Sequence, residues 1–299
     1  MAPKTVYQPK AGDTAVITGA GFGGIGFDTG LLLAKRKVHI TLADNDSAAL
    51  GRAHEAFIAA GIAENDFATH VTDVSRPDQV LKLAESVFQS RGKVNFLHLN
   101  AGIGAKVKAY GQDIADEWQK TFDVNLFGVV NGCQAFVERM VAQDSPAAVV
   151  ITGSKQGITN PPGTSAAYNA SKAAVKTLAE SLSHQLLQSQ VSVHLLVPGW
   201  TWTKLASPAE GSVEAYSASD KPDVAWSPAQ VAEELLRRMQ GGEFYILCPD
   251  GAVNWALDKA RMEWAMGDVL EGRPALSRWH PEYEQQHQKF VEEKTAGSK

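Results

Sequence analysis

Residues 14–26 read TAVITGAGFGGIG, a β-branched run closed by a cluster of glycines that ends in Gly24-Ile25-Gly26. The first five residues suit a buried strand, and the glycines that follow allow a tight turn and close approach of a ligand to the backbone. A helical pattern comes next, with Phe27, Leu31, Leu32 and Ala34 apolar before the basic end Lys35-Arg36-Lys37. Strand, glycine turn and helix in succession offer the unpaired N–H groups of a helix N-terminus to an anion, as a dinucleotide's pyrophosphate requires. The next predicted strand, 38–43, runs into Asp44, 18 residues beyond Gly26. A carboxylate there accepts hydrogen bonds from adenosine ribose hydroxyls and repels a 2′-phosphate, which predicts NAD(H) in preference to NADP(H). The same acid also suits a turn or helix N-cap ahead of residues 47–50.

Working outward, the alternation continues. Helical patterns cover 47–60, 77–89, 118–140, 165–187 and 228–239, and strand patterns cover 68–72, 94–99, 148–151, 191–197 and 244–247. Pro77 at a helix start and Gly61 and Gly92 just past helix ends are the expected punctuation. Such a series predicts an α/β fold of the Rossmann type, a doubly wound, mostly parallel sheet with ligands at the carboxyl ends of its strands. Gly19, Asp44, Asn100, Ser154 and Pro198 all fall at those ends or just beyond. One domain over 13–250 is expected, after an N-terminal extension over 1–12 and before a helical extension over 251–299.

Chemistry concentrates in residues 152–172, TGSKQGITNPPGTSAAYNASK. On a helix, Tyr168 and Lys172 at i and i+4 share one face. A nearby ammonium lowers an acid's pKa by roughly 1–3 units, which would bring the phenol, ordinarily near about 10, toward neutral pH. That suits general acid–base work on an alcohol or ketone, with Ser154 holding the reacting oxygen. By itself the Tyr–Lys spacing is weak, since chance supplies it in roughly one chain of this composition in three. Asn125, in the middle of the 118–140 helix and among apolar neighbours, needs partners for its amide.

Composition narrows the classes. Of 299 residues 44% are hydrophobic, ample for a large core, and the net charge of −5 comes with scattered basic residues, so neither a nucleic-acid nor an anionic-membrane surface is expected. Cys133 and Cys248 lack neighbours at metal-ligand spacing, the eight histidines show no paired ligand spacing, and no metal is expected. With no apolar run in the first 12 residues and no apolar window of spanning length, a soluble, cytoplasmic protein is the expectation. Residues 207–227, rich in Ser, Ala and Pro, read as a lid or a passive surface excursion. Trp200, Trp202 and Tyr216 either favour an apolar or aromatic secondary alcohol or pack that segment; Lys155 and Gln156 either recognise a polar substituent or face solvent. Trp255, Trp264 and Trp279 predict that the last 49 residues pack on this chain or on a partner subunit.

Together these motifs resemble the short-chain dehydrogenase/reductase family over about 13–247. The family's Thr-Gly-x-x-x-Gly-x-Gly is matched by Thr18-Gly19 and Gly24-Ile25-Gly26, here with one extra residue between Gly19 and Gly24. The resemblance implies a strand order 3-2-1-4-5-6-7 and adenine contacts at Asp73-Val74. It implies that Asn100-Ala101-Gly102 lies against the cofactor, and that Pro198, Gly199, Thr201 and Thr203 meet the nicotinamide end. It further implies a catalytic set of Ser154, Tyr168, Lys172 and Asn125. Tyr168 would pass the proton, Lys172 would bind the nicotinamide ribose, and Asn125 would hold a water on the lysine's proton path. The expected activity is NAD(H)-dependent interconversion of a secondary alcohol and a ketone, with NADP(H)-preferring carbonyl reduction or a non-catalytic nucleotide-binding relative as alternatives. An epimerase or dehydratase of nucleotide sugars is disfavoured by the short C-terminal extension. Homodimers or homotetramers through helices 118–140 and 165–187 are also implied.

Overall fold

The computed structural model describes residues 6–104, 107–143, 145–205, 220–251 and 253–296. Seven strands, β1 (Thr14–Thr18), β2 (His39–Asp44), β3 (Phe67–Val71), β4 (Phe96–Leu99), β5 (Ala147–Thr152), β6 (Val191–Val197) and β7 (Tyr245–Leu247), form one parallel sheet in the order 3-2-1-4-5-6-7. The expected order holds. The central strands β1, β4 and β5 are buried along their whole length, because helices cover both faces of a parallel sheet.

The helices are α1 (Ile25–Lys35), α2 (Ser47–Ala59), α3 (Pro77–Arg91), α4 (Ala115–Phe122), α5 (Gly128–Ala142), α6 (Gln156–Thr159), α7 (Ala166–Gln185), α8 (Pro228–Gln240), α9 (Trp255–Leu270) and α10 (Glu284–Thr295). Alternate strand residues point to opposite faces. Val16, Leu97, Val149 and Leu195 pack under α3, α5 and α7, while Ile17, Phe96, Val150 and Leu196 pack under α1, α2 and α8. The register places every strand's C-terminal end on one edge of the sheet, and the site forms there.

The long helix predicted over 118–140 is broken by a π-helical turn, Asp123–Phe127, between α4 and α5. Such a turn inserts a residue and is common at functional sites; here it carries Asn125. Beyond it α5 lies very close to the sheet. A Cβ on Gly132 would stand 2.3 Å from Leu99 Cδ2, so any larger residue here would displace that buried side chain.

Asp28, in the first turn of α1, is raised to about 6, chiefly by burial with Lys35 acting against it. A carboxyl whose folded-state pKa lies above its unfolded value contributes most stability at acid pH and loses it as pH rises through the folded value. Asp28→Asn is therefore expected to stabilise the fold by up to about 3 kcal/mol at pH 8 and by almost nothing near pH 4. Urea denaturation at the two pH values measures this; an equal effect at both would rule the explanation out.

After β7 the chain folds back as α9 and α10. Trp264 of α9 is buried, donates from Nε1 to Ser277 Oγ (2.8 Å), lies under the Arg273 guanidinium and meets Phe290 of α10 edge-on. The extension thus has a small core of its own and packs against α6 of the same chain. Among the described residues no helix is long and apolar enough to cross a membrane, and no group of three or more His, Cys, Asp or Glu is placed to hold a metal.

Candidate active site

Ser165 caps α7 and accepts from the backbone N–H of Tyr168, fixing the tyrosine in the first turn, with Lys172 one turn further along. Lys172 is almost fully buried, and its Nζ donates to the Thr152 carbonyl at the end of β5 (2.8 Å). The same strand end leads to Ser154, whose Oγ accepts from the Gln156 N–H (3.2 Å) and whose side chain faces the half-buried Tyr168. A Cβ on Gly102 would lie 3.3 Å from Asn125 Oδ1 and 3.5 Å from Lys172 Nζ, so Gly102, Asn125 and Lys172 meet in one place. The structure therefore gathers all four residues singled out for chemistry.

Their electrostatics differ from the expectation. Burial holds the Tyr168 phenol above its ordinary value, with the Ser154 hydrogen bond pulling the other way. Burial also pulls Lys172 down to about 8. Desolvation penalises both charged forms, and the ammonium, 5.8 Å from the tyrosine ring centre and turned to Thr152, does not offset it. The phenol is thus a protonated acid at neutral pH, which corrects the reading of a tyrosine acidified by its neighbour. Asn125 departs too. Its Oδ1 accepts from Ile103 N–H (2.8 Å), and its Nδ2 donates to the Ile103 carbonyl and to Ser171 Oγ (both 3.0 Å). The side chain thereby shapes the loop after β4, with its Oδ1 and the Lys172 Nζ both facing Gly102.

The glycine loop is held from two sides. Gly19 adopts φ +62°, and a Cβ there would stand 2.6 Å from Ala101 Cα, so the turn after β1 lies directly on Asn100-Ala101-Gly102. Asn100 Nδ2 donates to the Thr18 and Gly19 carbonyls, Thr152 Oγ1 donates to Asn100 Oδ1, and buried His98 Nε2 lies 2.9 Å from Thr152 Oγ1. This chain ties the ends of β1, β4 and β5 together. On the other side Gly21 N–H donates to Asp44 Oδ2 (2.8 Å) and Phe22 N–H to the Ala49 carbonyl. The extra loop residue lets the turn reach both β2 and α2. Asp46, not Asp44, is the N-cap of α2.

Asp73 accepts from the Ser75 N–H and hydroxyl, and Val74 is buried against α5, with its carbonyl bonded by Asn131. The segment after β6 lies over the strand ends. Trp200 N–H donates to Asp250 Oδ2, Thr201 is buried, Lys204 Nζ reaches Asp46 Oδ2 at 3.5 Å, and Leu205 lies against Gly104. Thr203 is half-buried in that segment, and Pro198 and Gly199 lead into it. Trp202 is buried and packs the fold, whereas Trp200 is 44% exposed. Tyr216 and residues 206–219 of the expected lid lie outside the described residues. Lys155 faces neither substrate nor solvent as anticipated: its Nζ lies 2.5 Å from Asp258 Oδ2 and 3.5 Å from Asp250 Oδ2, joining the residue after Ser154 to the C-terminal extension. Cys248 is buried, Cys133 partly so, and both are free thiols held at about 12 by burial.

Nucleotide binding fits these residues. No side chain caps the N-terminus of α1 at Gly24, so the backbone donors there stand free for a phosphate. Each Asp44 oxygen takes one hydrogen bond among the described residues and keeps acceptor capacity, and Lys172 keeps protons beyond the one given to Thr152.

The family model described as short chain dehydrogenase matches residues 13–213. The 1-deoxy-11-beta-hydroxypentalenate dehydrogenase of Streptomyces avermitilis is 32% identical over 234 residues, covering 78% of this chain and 83% of that one. A short-chain dehydrogenase/reductase from Burkholderia phymatum, solved in complex with NAD, superposes with a TM-score of 0.76 at 30% identity, covering 89% of this chain and 97% of that one. A metagenomic short-chain oxidoreductase solved with NADP is similar at 26% identity and a TM-score of 0.64, covering 81% and 98%. The chain belongs to the short-chain dehydrogenase/reductase family and is an oxidoreductase with a Rossmann-like, nucleotide-binding fold.

Proposed function

We propose that this chain interconverts a secondary alcohol and a ketone with NAD(H), using Tyr168 as the general acid–base. The observation that carries the reading is the meeting of Ser154, Tyr168 and Lys172 at the end of β5, beside the loop that holds Asn125 and Gly102. The nicotinamide, when bound, supplies or accepts the hydride. The backbone at Gly24-Ile25-Gly26 would hold the pyrophosphate, Asp44 the adenosine ribose, Asp73-Val74 the adenine and Lys172 the nicotinamide ribose, with Asn100, Ala101 and Gly19 beneath. Pro198, Gly199, Thr201 and Thr203 would border the nicotinamide end. Tyr168 gives its proton to the ketone oxygen in reduction and takes it back in oxidation, while Ser154 donates to that same oxygen and fixes its position. Exposed Trp200 at the mouth favours a substrate with an apolar or aromatic body. In this reading residues 13–250 bind and turn over, residues 251–299 are an extension, and the chain works in the cytoplasm as a homodimer or homotetramer.

A panel of aliphatic, aryl, steroid and sugar alcohols, followed by NADH absorbance, tests the reaction class; silence across the panel with cofactor bound would remove it. The cofactor choice has its own test. Asp44→Ala is expected to raise the Michaelis constant for NADH about tenfold or more and to narrow the gap to NADPH, because it removes both the acceptor for the ribose and the charge that repels a 2′-phosphate. Equal kcat/KM for the two cofactors in the unaltered enzyme would remove the NAD(H) assignment.

A further inference from the structure

Between α6 and the C-terminal extension lies a cavity of about 250 Å³, lined by neither Ser154 nor Tyr168. At about 30 Å³ per liquid water, that is space for roughly eight waters or one small ring-bearing molecule. Five of its lining residues are charged: Lys155, Arg261 and Arg278 against Asp250 and Asp258. Lys155 is committed to the two aspartates. The guanidiniums are not committed in that way. Arg261 Nε is buried and has no hydrogen-bond partner among the described residues. Arg261 and Arg278 line the same cavity, and Arg278 is pulled down to about 10, first by burial and then by Arg261, with Asp258 acting the other way. Three cations against two acids leave the lining one positive charge in excess. Around these charges the walls are apolar, with Ile158, Met262 and Trp279 among them.

Two mutually repelling guanidiniums, one with a buried Nε that lacks a hydrogen bond and the other stacked 4.7 Å from the Trp279 ring centre, suit an anion with an apolar body. We infer that this cavity binds a small organic monoanion, an aryl or alkyl carboxylate, with its charged group on Arg261 and Arg278 and its body on Met262 and Trp279. One carboxylate neutralises the excess charge, and the fork of a guanidinium matches its two oxygens. A bound ligand also touches the active site's frame. Lys155 follows Ser154 directly, and Asp250 both pairs with Lys155 and holds the Trp200 N–H. The inference is independent of the proposed reaction, since binding is measured on the full chain without turnover.

The test is calorimetric titration with benzoate and, in parallel, the nearly isosteric neutral benzamide. Benzoate is expected to bind at least tenfold more tightly, equivalent to about 1.4 kcal/mol. Arg261→Gln and Arg278→Gln should each weaken benzoate about tenfold and leave benzamide unchanged, with Arg261→Lys recovering part of the loss. Trp279→Phe should remove a benzoate-dependent change in tryptophan fluorescence. Where an alcohol substrate is in hand, competition by benzoate would make the cavity an arm of the substrate cleft, and non-competitive inhibition would make it a separate site; either supports a carboxylate pocket. Equal binding of benzoate and benzamide, no benzoate binding up to about 10 mM, or full benzoate affinity in both arginine-to-glutamine variants would overturn it.

Discussion

Tyr168→Phe is expected to slow turnover in both directions by about 10²–10⁴-fold, the usual contribution of a positioned acid–base group, while cofactor affinity by fluorescence titration stays within about twofold. The substitution removes one hydroxyl and leaves the ring, the Ser165 cap and the Lys172–Thr152 bond in place. Since burial holds the phenol above its ordinary value, it is protonated at neutral pH and ready to donate. Ketone reduction should therefore hold up through neutral pH and fall at alkaline pH, while alcohol oxidation should climb as the phenolate forms. Near-normal rates in the variant, or an oxidation rate that falls from pH 7 to 9, would move the proton route to another group.

Lys155→Met should be strongly destabilising. Its ammonium faces Asp258 at 2.5 Å and Asp250 at 3.5 Å, and all three side chains are mostly shielded from water. Breaking a buried pair by removing one partner costs about 3–5 kcal/mol, because the remaining charges lose their compensation. In a domain of this size that corresponds to a fall in melting temperature of roughly 6–20 °C. The double variant Lys155→Met/Asp258→Leu should recover a large part of the loss, since it removes an orphaned charge as well. A loss below about 1 kcal/mol in the single variant would show the pair to be screened like a surface ion pair.

Much of this architecture was legible from residue patterns. The β-branched run at 14–18 and the apolar run at 191–197 coincide with β1 and β6, because parallel strands buried on both faces leave a continuous apolar signature. The glycine cluster, Asp44 and the 154–172 spacing all lie at the strand ends, where the alternation put them. Three features had no local signal. The π-helical turn at Asp123–Phe127 has ordinary helical composition, and its extra residue follows from packing against Gly102 and Ile103. Tyr168 and Lys172 share a helix face as their spacing requires, but which effect rules their ionisation depended on burial, and on a backbone carbonyl that no side-chain pattern reveals. Lys155 stood next to Ser154 in plain view, yet its partners come from a region about a hundred residues away, beyond the reach of any periodicity.

The π-helical turn sets a counting rule for this part of the chain. Each residue in an α-helix advances the winding by about 100°, and the widened turn absorbs the surplus position, so that Phe136 and Met140 downstream stay fully buried against the sheet. Losing one position from 123–127 would close the turn to ordinary α geometry, leaving those anchors in place and displacing Asn125 from its bonds to Ile103. What the surplus residue fixes is the site's loop, not the helix that follows.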